Sequence, residues 1–301
     1  MQFPAAYIMR GRMQAVTVAS VLVLLSLVLP PLNFVSCIAS SATIALVTLR
    51  LGARQGLYVL LTALPLVAAF SLLVVNDYQP ILVYGLEWWL PVWLIAIVLR
   101  ESRQMVLAVE IAVLLGIMAV IGVYVFQPEP AQMWRTLLHE MAQLIRQTQP
   151  DVPEDVIMES ADTISHYMTG VRAAGSVFEL LLSLFLARIW QANLYNPGGF
   201  KQEYLKLQGH KLMAIATVII LAVALPTNLE VCWNILVVLI VFYTFTGSAV
   251  WHYLISPLQG SRYWLAGFYL VLFFIPQFMA MVSLCGLVDT WLNLRSKIRP
   301  N

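Results

Sequence analysis

The sequence predicts an all-α, polytopic transmembrane helical bundle of eight to ten spans, with an extracytoplasmic amphipathic helical insertion. Three observations carry this. About nine apolar runs fill the 301 residues, and one of them, Trp264–Val288, holds no charged residue. Only 11% of residues are charged, against roughly 25% in a soluble domain, while 61% are hydrophobic and mean hydropathy is +0.83. Lys and Arg gather in every second connection, the pattern of a chain that crosses a bilayer repeatedly.

A span needs about 20 apolar residues, roughly 17–25. The runs that meet this are Met13–Leu29, Phe34–Leu49, Gly56–Val75, Pro80–Leu99 and Met105–Phe126, then Ala173–Leu194, Leu212–Leu225, Val231–Ile255 and Trp264–Leu287. Hydrocarbon offers the backbone no partner, so each must be a helix unless the chain closes into a barrel. The runs lack the alternation a barrel requires. Arg10 and Arg12 precede the first run, and Arg50 with Arg54, Arg100 with Arg103, and Lys201, Lys206 and Lys211 follow the second, fourth and sixth. That places the N-terminus on the cytoplasmic side of the membrane. Arg10 and Arg12 ahead of Ala15–Leu29 resemble a signal sequence, and Phe34-Val35-Ser36-Cys37 resembles a lipoprotein cleavage box. A second apolar run follows at once, so an uncleaved first span is expected. Arg295, Lys297 and Arg299 favour a cytoplasmic C-terminus, whereas nine crossings put it outside; either Leu212–Leu225 is re-entrant or the last run folds back at Pro276.

Three parts follow: an N-terminal bundle over 1–126, an outer helical segment over 127–167 and a C-terminal bundle over 168–301. The outer segment carries seven acids, Glu129, Glu140, Asp151, Glu154, Asp155, Glu159 and Asp162. Trp134, Leu137, Leu138, Met141, Leu144 and Ile145 recur there at helical spacing, which predicts an amphipathic helix lying on the membrane or on the spans. Pro150-Asp151-Val152-Pro153 separates it from a second helix, with Asp151 as its cap and acids in its first turn.

Ionisable residues inside spans are costly, about 2.5–3.5 kcal/mol at the centre, and usually face the bundle interior. Glu87 lies mid-run beside Trp88 and Trp89, and Pro91 can open the helix there. It reads as a proton- or substrate-binding carboxylate, or as a packing residue. Asp162, Ser165, Thr169, Arg172, Ser176, Glu179, Ser183, Ala187 and Trp190 recur every three or four residues, one face of a continuous helix. Arg172, Ser176, Glu179 and Ser183 would then wall a solute path, with Glu87 opposite; close helix packing through small residues is the plainer reading. A shorter stripe runs Ser36, Ser40, Thr43, Arg50, Arg54.

Asn196-Pro197-Gly198-Gly199 ends a span with a helix stop and glycines free to take positive φ. With Phe200 and the basic helix behind it, this turn is either structural or a docking surface for a cytoplasmic or membrane partner. Gly52-xxx-Gly56 and Ala15-xxx-Ala19 allow close helix approach. Cys37, Cys232 and Cys285 are far apart, with no CxxC pair, and the four histidines are scattered. No P-loop, dinucleotide turn or nucleophile elbow is present. The sequence therefore predicts no catalytic residues, no metal, no cofactor and no nucleic-acid partner.

Trp190-Gln191-Ala192-Asn193-Leu194-Tyr195-Asn196-Pro197-Gly198-Gly199-Phe200, followed by Glu203 and Tyr204, resembles the signature of the YybS-like predicted bacterial membrane proteins. Gly247-Ser248-Ala249-Val250-Trp251-His252 and Gly286-Leu287-Val288-Asp289-Thr290-Trp291 are similar to that family's closing segments. The family is a domain of unknown function. The resemblance implies a distant relation to substrate-binding subunits of energy-coupling-factor transporters, which borrow their ATPase, and to the rod-shape protein MreD. Two functions are thus expected: a transporter-subunit-like binder of a small solute or lipid, or a scaffold in cell-envelope assembly.

Overall fold

The computed structural model describes residues 2–148 and 153–298. Among them every regular element is helical: α1 (Gln2–Ile8), α2 (Arg12–Val28), α3 (Asn33–Leu51), α4 (Ala53–Phe70), α5 (Gln79–Leu82), α6 (Leu90–Ser102), α7 (Met105–Phe126), α8 (Pro130–Thr148), α9 (Glu154–Ser165), α10 (Met168–Tyr195), α11 (Gly199–Leu205), α12 (Lys211–Thr227), α13 (Glu230–Ile255), α14 (Ser261–Phe274), α15 (Pro276–Leu292) and α16 (Leu294–Ile298). Six helical stretches are long and apolar enough to cross a bilayer, or seven if the bent pair α14–α15 counts as one. The helices α2 and α12, at 17 residues each, fall just short of that length. Large apolar side chains lie on the outside, Leu73 at 85% and Phe273 at 82% exposure among them. A surface of this kind belongs in lipid rather than water.

The chain forms two compact units. The first comprises residues 1–112 and 178–207. Its centre is α3, 72% buried over its apolar stretch where α4 is only 28% buried. Composition explains the difference, because Ser36, Cys37, Ser40, Ser41, Ala42, Thr43 and Ala45 are small enough for backbones to approach closely. The Ser40 hydroxyl donates to the Ala19 carbonyl at 2.8 Å and receives the Trp89 indole N–H at 3.2 Å. Ala15 and Ala19, at 1% and 0% exposure, line that approach. Gly52 has φ +103 and serves the α3–α4 turn, whereas Gly56 packs: a methyl group there would lie 1.9 Å from Thr48 Oγ1. Between α5 and α6 the helix widens into π turns over Val83–Trp89. Pro91 supplies the reason, since it has no N–H and its ring crowds the carbonyl four residues earlier, that of Glu87.

The second unit comprises residues 113–177 and 208–301. Its centre is α13, 67% buried over its apolar stretch. The helix α15 packs antiparallel on it: Phe278 meets Trp251, Val282 meets Gly247, and Gly286 meets the Tyr243 carbonyl. The last apolar run is therefore broken, with a 114° bend between α14 and α15 at Ile275–Pro276. The amphipathic segment is α8 followed by α9. Asp162 of α9 holds Arg135 Nε at 3.0 Å and His139 Nε2 at 2.9 Å of α8. Leu137 and Met141 stay exposed, at 46% and 57%. The expected Asp151 cap and the final Arg299 lie outside the described residues.

One expectation is corrected. Asp162 through Trp190 is not a single helix: α9 ends at Ser165, and α10 starts at Met168 after a turn at His166–Tyr167. Asn234 of α13 holds this turn. Its amide donates to the His166 carbonyl at 2.7 Å, and its Oδ1 accepts the Gly170 N–H at 2.5 Å. Those side-chain bonds replace the helical bonds that a continuous rod would need.

Candidate functional site

The predicted stripe is split by the break. Asp162 and Ser165 belong to α9, and the stripe proper starts at Thr169, which accepts the Trp134 indole N–H at 2.9 Å. Arg172 and Ser176 lie in the second unit and bind each other, Arg172 Nη1 donating to Ser176 Oγ at 2.5 Å. Glu179 and Ser183 lie in the first unit. Ser183 is fully buried, and its hydroxyl donates to the Glu179 carbonyl at 2.8 Å, a bond within its own helix.

Glu179 is half-buried and acts electrostatically on Cys37 and Tyr84. Those two belong to a buried polar nest in the first unit. Ser26 Oγ donates to the Val23 carbonyl at 2.6 Å, so the Tyr84 hydroxyl is the donor in its 2.5 Å bond to Ser26. The Cys37 thiol sits 2.9 Å from the Tyr84 oxygen and 3.1 Å from Asn33 Oδ1. Ser26, Cys37 and Tyr84 are 2%, 2% and 4% exposed. Three helical segments thus bring hydroxyl and thiol groups together, within electrostatic reach of the Glu179 carboxylate. Glu87 stands three residues beyond Tyr84 on the same π-helical stretch and is half-buried.

The turn Asn196–Gly199 is anchored from behind. Gly198 adopts φ +86, which only glycine takes without strain. Arg188 clamps Glu203 with both carboxylate oxygens, Nε to Oε2 at 2.8 Å and Nη2 to Oε1, while Nη1 donates to Gln191 Oε1 at 2.7 Å. Phe200 stacks on Tyr204, and Phe185 packs tilted or edge-on against both, at centroid distances of 5.7–5.8 Å. Gly199 is buried and Phe200 half-buried, so they hold the hairpin, whereas Asn196, Pro197 and Gly198 are exposed at its tip.

Sequence reasoning passed over several residues. Glu110 is 6% exposed. It is the one acid in Met105–Phe126, a signal that was legible. Glu230 and His166 pair at 2.6 Å, and Asn234 donates to the Tyr124 oxygen at 3.0 Å beside them. No spacing rule links positions so far apart in the chain. Asp289 is 1% exposed and holds Arg295 Nη2 at 3.2 Å. Its Oδ1 also accepts the Leu294 N–H at 2.8 Å, and Gln208 donates to its carbonyl at 2.7 Å. Burial lowers the Arg295 pKa, and the Asp289 carboxylate opposes that shift. Arg295, read from sequence as one of the basic residues favouring a cytoplasmic C-terminus, is 8% exposed and belongs to an internal ion pair. Among the described residues no group of His, Cys, Asp and Glu could hold a metal ion.

No curated protein and no solved structure matches the chain. A family described as predicted membrane protein (DUF2232) matches residues 17–290, nearly the whole length. The span pattern, the lipid-facing apolar surface and this match agree, and the chain belongs to the DUF2232 family of predicted membrane proteins, whose function is unknown.

Proposed function

We propose that the chain is a non-enzymatic, membrane-embedded binding protein of the transporter-subunit type. It takes a small solute or lipid among its helices and relies on a partner for any ATPase. The carrying observation is the buried Ser26–Tyr84–Cys37 nest, with the half-buried Glu179 carboxylate within electrostatic reach of it. A carboxylate and three polar groups inside a bundle cost stability that packing alone could avoid, and such residues commonly mark solute or ion paths. Glu87 lies three residues beyond Tyr84 and Ser183 one helical turn beyond Glu179, while Arg172 and Ser176 pair with each other on α10. Native mass spectrometry of the purified protein should find a retained small molecule, and Glu179→Gln should release it. An empty wild type, together with unaltered solute uptake in a deletion strain, would sink the reading.

The orientation we propose is an N-terminus in the cytoplasm of a bacterial inner membrane. The short helices α2 and α12 count as crossings, which brings the total to eight, or nine with the bent pair as one, within the expected eight to ten, and α8–α9 lies outside.

A second reading, a scaffold in envelope assembly, rests on the hairpin. Asn196, Pro197 and Gly198 protrude from a turn fixed by Arg188–Glu203 and three packed rings. Rigid presentation of an exposed turn suits protein docking. Crosslinking from Asn196→Cys separates the two: a scaffold captures envelope-synthesis proteins and tolerates Glu87→Gln and Glu179→Gln.

A further inference from the structure

We propose that the basic end of the first unit holds a binding site for a phosphate group, carried either by a small phosphorylated solute or by the headgroup of an anionic lipid. The site stands apart from the Glu179 nest and does not depend on it. A cleft of about 540 Å³ opens where α3, α6 and α10 end, with Arg50, Arg100, Arg103 and Arg188 among its walls. Two carboxylates, Glu101 and Glu203, share it, so the cleft carries two positive charges in excess.

The pairing shows which charges are available. Glu203 is consumed by the two-pronged contact with Arg188, whose side chain is 16% exposed. Glu101 is 72% exposed and stands 3.6 Å from Arg100, a loose pair that water and salt screen. Among the described residues neither Arg50 nor Arg103 has a carboxylate partner. Two arginines are nevertheless held in place. The Arg50 guanidinium carbon lies 4.0 Å from the centroid of the Tyr195 ring, a cation–π contact that holds the group at the cleft without using a carboxylate. Arg100 Nη1 donates to the Leu49 carbonyl at 2.7 Å, at the end of α3.

Arginines that serve only to orient a chain in the membrane need to reach solvent and nothing more. These four converge on one cleft, and three of them, Arg50, Arg100 and Arg188, are positioned by a ring, a carbonyl and a carboxylate. A planar guanidinium presents paired donors that match phosphate oxygens. A phosphate monoester carries roughly 1.5 to 2 negative charges near neutral pH, close to the excess of two, while the phosphodiester of an anionic lipid headgroup carries one and would balance half of it. The cleft also sits at the ends of spans, the level at which lipid phosphates lie.

The test uses the full chain in neutral detergent and in phosphatidylcholine nanodiscs. Inorganic phosphate or pyrophosphate is titrated against chloride at equal ionic strength, with thermal unfolding as the readout. Separately, nanodiscs with and without phosphatidylglycerol are compared by native mass spectrometry for retained lipid. The expected result is saturable stabilisation by a phosphate probe, or selective retention of the anionic lipid. The first outcome alone assigns a soluble phosphate ligand and the second alone a headgroup. The double variant Arg50→Gln/Arg103→Gln, melting like wild type without ligand, should weaken the effect at least about tenfold. Arg54→Gln, exposed and outside the cleft wall, should leave it unchanged, and Arg50→Lys should fall between because it keeps the charge and loses the fork. No saturable response from folded wild type to any of these probes overturns the proposal, as does a double variant that binds like wild type or an Arg54→Gln variant that loses as much.

Discussion

Gly247 and Gly286 face each other where α13 and α15 cross. A methyl group on Gly247 would lie 2.0 Å from the Val282 carbonyl oxygen, and one on Gly286 would lie 2.4 Å from the Tyr243 carbonyl oxygen. These clashes are with backbone, which cannot swing aside. Gly247→Leu or Gly286→Leu should therefore destabilise the second unit by about 3 kcal/mol or more, seen as a lowered midpoint of thermal unfolding in detergent. Gly122→Ala, where a methyl group meets nothing within 4 Å, should leave the midpoint nearly unchanged. The buried Asp289–Arg295 pair gives a second residue-scale prediction. Removing the carboxylate in Asp289→Ala strands a buried guanidinium and should cost about 3–5 kcal/mol. The double variant Asp289→Ala/Arg295→Met should recover most of that loss; a double variant as unstable as the single one would show that the pair is not the cause. Both glycines and Asp289 stand in segments already distinctive in the sequence. Their roles were not legible there, because a close crossing and an ion pair both depend on which helix lies opposite.

At the scale of elements, the amphipathic helix α8 makes a clear prediction. One side of it is tied to α9 through Arg135, His139 and Asp162, and the opposite side exposes Leu137 and Met141. A helix with one face tied to protein and another left apolar fits a membrane surface. A polarity-sensitive dye on Leu137→Cys should emit further to the blue in vesicles than the same dye on Thr136→Cys. Equal emission from both would argue against a lipid-facing stripe. The helix and its apolar face were legible from periodicity alone. The break at His166–Tyr167 was not, because the cause is a side chain, Asn234, on α13. Polar spacing can place residues on one face only as long as the helix continues, and a partner that offers better backbone bonds ends it.

At the scale of the whole molecule, the alternation of basic connections makes a topology prediction. A reporter fused after Arg103 should be active in the cytoplasm, and one fused after Glu129 should be active only outside the membrane. The reverse pair of signals would overturn the proposed orientation. Arg50, Arg100 and Arg103 come from two such connections and line one cleft in the first unit, as expected of loops that share a side. Arg295, one of the basic residues that favour a cytoplasmic C-terminus, is paired with Asp289, so its charge is balanced within the protein.

Length, charge poverty and apolar runs determined by themselves that this chain is a helical membrane protein, and nearly every helix lies where hydropathy places it. Bilayer solvation explains that success, because the lipid demands internally bonded apolar segments whatever their neighbours are. Only the tertiary structure decided which polar groups meet: Tyr84 with Ser26 and Cys37, Arg188 with Glu203, Asp289 with Arg295, and four arginines around one cleft. These meetings depend on helix rotation and pairing, which in lipid are set by small-residue contacts and buried hydrogen bonds rather than by hydrophobicity. Hydropathy is nearly blind to such contacts, so the sequence specified the helices while their packing specified the sites.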